Sequence, residues 1–244
     1  MSDLRELWEF VTTASNWWGL NGIANRTWAH VRLSAFAAVV ATVLALPPAV
    51  VLGHLRRGGL LAVSIVNVGR AIPSFGVLAL ALPFSIQWGF GLGFWPTFVA
   101  LVLLGVPPIF TNAYTGVREV DRGVVESAYG MGMAPHQVLL GVELPTALPL
   151  VLAGIRVSSV QIVATATLGA YVGYQCLGSF IVEGLASFDD GKLLTGAVLV
   201  ALLAVVTEVA LGLLQRAVTP WSRARATLGR PPRATGAPIP VPVP

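Results

Sequence analysis

An all-α, polytopic membrane protein with five spans is the fold the sequence predicts, and three observations predict it. Hydrophobic residues make up 55% of the 244-residue chain and charged residues only 11%, against about a quarter in soluble proteins; the mean hydropathy is +0.78. Five stretches, nearly free of charge, reach the length of about 20 residues that a helix needs to cross a bilayer core. Lys and Arg collect in the connections on one side of those stretches, as an oriented bundle requires.

The chain begins "MSDLRELWEFVTTASNWWGL", which has mixed charge and no clean apolar core, so it is expected to stay on the protein rather than act as a signal peptide. Leu4, Leu7, Trp8 and Val11 recur at helical spacing, with Trp17 and Trp18 following. Residues 1–27 therefore read as an external, interfacial segment with a short surface helix; a frayed tail is the plainer alternative.

The five spans fall at 33–53, 60–83, 96–117, 147–173 and 193–215, within a transmembrane region of 28–217. "SIQWGFGLGFWP" separates the second from the third, because three glycines, a proline and two tryptophans suit an interfacial turn. Arg56 and Arg57, then Arg118 and Arg122, then Arg216, Arg223, Arg225, Arg230 and Arg233 share one side. That side is expected to be cytoplasmic, with the N-terminus outside and the C-terminus inside. Arg5, Arg26 and Arg32 dissent, the first two from a segment that also holds Asp3, Glu6 and Glu9. Residues 218–244 are Pro-rich without periodicity and read as a disordered cytoplasmic tail.

Between spans three and four, residues 118–145 break the apolar pattern. Asp121 suits an N-cap, and Val124, Ala128 and Met131 then fall on one face of a short helix that Gly132 interrupts. Pro135 suits the first turn of a second helix with a stripe of Val138, Leu139 and Val142, and Pro145 is expected to force Leu144 away from helical geometry. Two amphipathic helices of this kind need a partner surface.

This loop resembles that of permease subunits of binding-protein-dependent ABC importers, whose pattern is Glu-Ala-Ala, a Gly six positions after the Glu, then a hydrophobic residue, any residue, Leu and Pro. The chain supplies Glu126, Ser127, Ala128, Gly132, Val142, Glu143, Leu144 and Pro145, with Ser127 for the usual Ala and Val142 for the usual Ile. The resemblance covers roughly 28–217 and implies a five-helix core of the methionine-permease-like type. It also implies that the loop is a coupling helix docking in a groove of a cytoplasmic ATPase, which binds the ATP. "GRAIPSFGVLAL", "TNAYTGVREVD" and "TATLGAY" look like the osmoprotectant branch, whose solutes include glycine betaine, choline, carnitine and proline. A second permease, identical or homologous, an external solute-binding protein and the bacterial plasma membrane are the partners and place this implies. Where that branch has "GAGGLG" after span four, this chain has "GYQCLG", with Tyr174, Gln175 and Cys176 in place of smaller residues.

Three charges fall inside spans: Arg70 roughly 15 Å from the start of span two, Arg156 less deep in span four, and Glu208 roughly 10 Å from the end of span five. Glu208 is expected to pair with Arg156 or Arg70 and help fix one conformation of the bundle; the alternative is that both arginines snorkel to the interface. Ser158, Gln161, Thr165 and Thr167 either line a solute path or hydrogen-bond neighbouring helices. Pro107, Pro108, Pro73 and Pro83 are expected to kink their helices.

Catalysis is not expected from this chain. It has no GxxxxGK[ST], its "GFGLGF" neither follows a strand nor opens a helix, and His30, His54 and His136 stand in separate segments. Cys176 is the lone cysteine, so neither disulfide nor zinc spacing exists, and no cofactor or metal is expected. The arginines are scattered along the edges of apolar runs and form no basic, aromatic-laced face for nucleic acid, despite a formal charge of +4. Import of another small solute, such as an amino acid, is the nearest alternative. A secondary transporter would call for an inverted repeat or a dedicated ion site, and neither is found.

Overall fold

The computed structural model describes residues 2–56, 63–64 and 73–220. Arg57, Arg70 and the arginines beyond Pro220 lie outside the described residues, as does most of the N-terminal half of the expected second span. Among the described residues the chain is helical, with no strand. Helix α1 is Ser2–Thr12, α2 Ile23–Leu55, α3 Ser74–Gln87, α4 Phe94–Arg118 and α5 Arg122–Gly130. A second long helical stretch runs from α6, Pro135–Val138, through α7, Leu144–Thr165, and is followed by α8, Leu177–Ser187, and α9, Asp190–Val218.

Helix α2, the stretch 135–172, α4 and α9 are each long and apolar enough to cross a membrane. Helix α3 is the described part of the second span, 14 residues ending at the glycine turn that precedes Phe94. That turn has Gly89, Gly91 and Gly93 at positive φ, and Ser85 Oγ donates to the Gly91 carbonyl at 2.7 Å. Three glycines in that short stretch let the backbone reverse where a side chain would be strained.

The core is built on small residues. Ala37, Ala41, Ala45 and Ala49 repeat every four positions along α2 and are all buried, which lets the backbones of α2 and α4 approach closely. An added Cβ at Gly105 of α4 would stand 2.7 Å from Ile162 Cδ1 and 3.0 Å from Ala41 Cβ, so three helices meet there with no room for a methyl. Leu33, Leu101, Ile109, Val117, Val151 and Ile162 fill the same core. Helix α2 runs unbroken through Pro47 and Pro48, and α4 through Pro107 and Pro108.

Helix α1 is docked rather than frayed. Phe10 meets the Phe180 ring edge-on at 6.0 Å, Trp17 Nε1 donates to the Val11 carbonyl at 2.7 Å, and Asn16 Nδ2 donates to Phe10 at 2.9 Å. Its partners are α8 and the start of α9. The sequence reading treats residues 174–192 as a loop, whereas Leu177, Phe180 and Gly184 form the buried stripe of α8. At 11 residues α8 is too short to span. It packs on α9 so tightly that a Cβ at Gly184 would meet the Leu193 nitrogen at 2.5 Å.

Candidate functional site

Residues 118–145 form a braced knob at the end of the bundle where α2 and α4 terminate. The Asp121 side chain accepts from the Gly123 and Val124 nitrogens at 2.7 and 3.2 Å, capping α5 as its position in the sequence predicts. Gly132 ends that helix at φ +85°. Its N–H donates to Tyr129 and that of Met133 to Ala128, the paired bonds of a left-handed C-terminal cap. Pro135 opens the next helix, with Gln137 Oε1 accepting from the Ala134 nitrogen at 2.8 Å.

Two expectations for this loop need correction. Val124, Ala128 and Met131 do not share one buried face: Val125 and Ala128 pack with Val120 and Val138, while Val124 and Met131 point outward. Packing against Val120 and Val138 turns Val125 inward in place of Val124, and Met133 and Val142 close the edge of the cluster. Nor does Pro145 displace Leu144, which is helical at φ −64°, ψ −45°. A proline ring normally collides with the carbonyl four residues back. Here residues Leu139–Glu143 form a wide π-type turn, with the Leu144 N–H reaching the Leu139 carbonyl, so the chain passes into α7 without a break.

The expected site residues take distinct places on this knob. Glu126, Ser127, Gly132 and Pro145 are exposed, Ala128 is buried, and Val142 and Leu144 are half-buried. Ser127 Oγ donates to the Gly123 carbonyl at 2.7 Å. Val124, Tyr129, Met131 and Leu140 present exposed apolar surface on the knob. Glu143, at the position where the pattern allows any residue, is only 1% exposed and its Oε2 lies 2.5 Å from His54 Nδ1 at the last turn of α2. Arg56 adds a bond from its guanidinium to the Val120 carbonyl at 2.9 Å, and Arg118 donates to the Tyr114 hydroxyl. Sequence reasoning missed Glu143 and His54; the signal was a lone acid within an apolar stripe.

Within the spans, Arg156 Nε lies 3.4 Å from Glu208 Oε1 and both side chains are part-exposed on α7 and α9. Gln215 of α9 donates to the Pro149 carbonyl at 2.9 Å, tying the same two helices. Ser158 is buried and its hydroxyl donates to the Gly105 carbonyl of α4 at 2.9 Å, a bond between helices. Thr167 Oγ1 donates to the Ala164 carbonyl at 2.9 Å, while Gln161 and Thr165 are half-buried. Of the four, Ser158 thus bonds a neighbouring helix and Thr167 its own backbone.

The opposite end of the bundle holds a second charged cluster. Arg26, in the first turn of α2, forms a two-pronged pair with Glu183 of α8: Nη2 to Oε1 at 2.7 Å and Nη1 to Oε2 at 3.1 Å. Lys192 Nζ reaches the same Oε2 at 2.7 Å, and the Arg26 guanidinium lies 4.4 Å over the Phe180 ring. Burial pushes the Glu183 carboxyl up, but the bonds and charges of Arg26 and Lys192 more than offset this, so it titrates below the usual carboxylate range. Arg26, which dissents from the charge rule, is thus an internal structural cation. The "GYQCLG" departure lies beside it: Tyr174 donates its hydroxyl to the Ala29 carbonyl at 2.9 Å, Cys176 is fully buried, and Gln175 is exposed.

Comparison with known proteins adds to this geometry. A model of the family described as "Binding-protein-dependent transport system inner membrane component" matches residues 37–220. The carnitine transport permease protein OpuCB of Listeria monocytogenes is 36% identical over 195 residues, which are 80% of this chain and 87% of that protein. The choline transport system permease protein OpuBB of Bacillus subtilis (strain 168) is also 36% identical over 195 residues, covering 80% and 88%. Among solved structures, an inward-facing conformation of the MetNI methionine ABC transporter matches with a TM-score of 0.70 and 26% identity, covering 79% of this chain and 94% of that one.

Proposed function

The chain belongs to the family of binding-protein-dependent transport system inner membrane components, and we propose that within it the chain is a permease subunit of an ABC importer for osmoprotectants such as glycine betaine, choline, carnitine or proline. The solute class rests on the relatives, named as carnitine and choline permeases.

The coupling role belongs to residues 118–145, and one observation carries it: the apolar side chains of Val124, Tyr129, Met131 and Leu140 stand exposed around a knob whose own core is closed. Apolar surface braced in this way fits a protein groove better than water. The partner is an ATPase subunit, which binds and hydrolyses the ATP, so this chain needs no cofactor. Glu126, Ser127 and Gly132 shape the contact, and Val142, Leu144 and Pro145 carry its movement into α7. A second permease, identical or homologous, completes the path, and an external binding protein delivers the solute. The knob faces the cytoplasm and the N-terminus the outside, as the arginine distribution favours. The Arg156–Glu208 pair biases the bundle toward one conformation. Gln161 and Thr165, half-buried on α7, are the better candidates for the path.

Co-purification with the ATPase, comparing the wild type with Gly132→Asp, tests the coupling role: the complex is lost while the folded permease remains. Uptake of labelled glycine betaine, choline, carnitine, proline and methionine by the whole transporter tests the solute. Preference for methionine would replace the osmoprotectant assignment by the amino-acid one.

A further inference from the structure

At the end of the bundle opposite the knob, a chamber of 720 Å³ opens between the N-terminal segment, the first turn of α2 and the α8–α9 pair. Arg26, Glu183 and Lys192 form its charged wall, and Phe10, Trp18 and Phe180 its aromatic one. Two cations face one carboxylate, so the wall carries a net positive charge. Both Glu183 oxygens are already occupied by Arg26 and Lys192. Donors are left over: an ammonium has three N–H groups, of which Lys192 directs one at Glu183. Arg26 Nε has no partner either, but it is enclosed by protein, so Lys192, whose side chain is 27% exposed, is the cation that offers spare donors to the chamber. The Arg26 guanidinium covers one face of Phe180, whereas Trp18 is largely exposed. An exposed indole face attracts an onium group.

We propose that this chamber is an entry subsite for a zwitterionic solute, whose carboxylate is held by Lys192 within the positive field of the Arg26 guanidinium and whose onium group rests against Trp18. The inference rests on the osmoprotectant reading and sharpens it, since glycine betaine and carnitine carry the carboxylate and choline does not. Gln175, one of the departures from the branch pattern, lines the same chamber.

The test uses the purified full-length chain in nanodiscs free of choline lipids, without ATPase or binding protein, and follows the thermal unfolding midpoint. Glycine betaine and acetate raise the midpoint saturably, and choline does not. Lys192→Gln weakens the glycine betaine half-saturation by about tenfold, as loss of a charged hydrogen bond predicts, while Lys192→Arg stays close to wild type. Trp18→Ala weakens glycine betaine but leaves acetate unchanged. Choline acting as well as glycine betaine, no loss in Lys192→Gln, no saturable response, or a response needing the binding protein would each overturn the subsite. Should the whole transporter import no osmoprotectant while the Lys192-dependent response persists, the transport reading falls and the subsite stands. Normal uptake without that response has the opposite meaning.

Discussion

His54 Nδ1 and Glu143 Oε2 stand 2.5 Å apart, joining the last turn of the first spanning helix to the wide turn that ends the 118–145 knob. Glu143 is buried, so deleting its carboxylate strands the imidazole rather than exchanging it for water. Glu143→Ala is expected to lower stability by about 1–3 kcal/mol, and Glu143→Gln by less, because an amide retains one hydrogen bond. Thermal unfolding of the purified variants checks the order, and ATPase co-purification should fall in the same order.

Gly132 adopts φ +85° with no atom within 4 Å of an added Cβ, so conformation alone sets the cost of a side chain there. Gly132→Ala is expected to destabilise the cap by about 1–2 kcal/mol, Gly132→Asn by less and Gly132→Val by more. Proteolysis within residues 122–138 of the folded variants should rank them in that sequence.

Glu183 gives a pH dependence with a definite sign. Its folded carboxyl titrates below the ordinary value of 4.5, so its contribution is complete above that value and disappears as pH falls through the folded one. The unfolding midpoint of Glu183→Gln should lie below that of wild type at pH 7, and the gap should narrow on acidification below 4.5. A gap constant between pH 7 and pH 3 would contradict the pairing with Arg26 and Lys192.

Arg156 and Glu208 are close without forming a hydrogen bond, and both are part-exposed. Their coupling is therefore expected to be below about 1 kcal/mol. Glu208→Arg alone should reduce the yield of folded protein, and adding Arg156→Glu should restore part of it. Equal yields in both singles and the double would indicate independent side chains.

Among the described glycines, Gly178 sits at the tightest approach: an added Cβ would stand 2.2 Å from the Thr167 carbonyl oxygen. Backbone cannot swing aside as a flexible side chain does, so Gly178→Ala is expected to prevent folding. Gly141→Ala, with the nearest atom 3.7 Å away at the Met133 Cε, should be tolerated. Membrane-fraction yield and size-exclusion profiles distinguish the two.

Four of the spans were legible because apolar length is a local property. Asp121, Gly132 and Pro135 were legible for the same reason, since caps and breakers act within one turn. Which face of residues 122–130 turns inward was not, because burial of Val125 over Val124 is decided by Val120 and Val138. The passage through Pro145 was missed because a π-type turn overrides the usual rule. Arg26 looked like an exception to the orientation only because its partner lies 157 residues away, and α8 looked like a loop because it is too short to span.

The unbroken helical course from Pro135 to Val172 covers 38 residues, roughly 55 Å at the helical rise. Only Leu144–Thr165 is regular α-helix, with the wide turn of Leu139–Glu143 below it and the tighter 3₁₀ turns of Ala166–Val172 above, so a tilt imposed at the foot is carried by the middle and taken up at the two ends. The two faces of the membrane are thereby geared to one another through a shaft with a joint near each end.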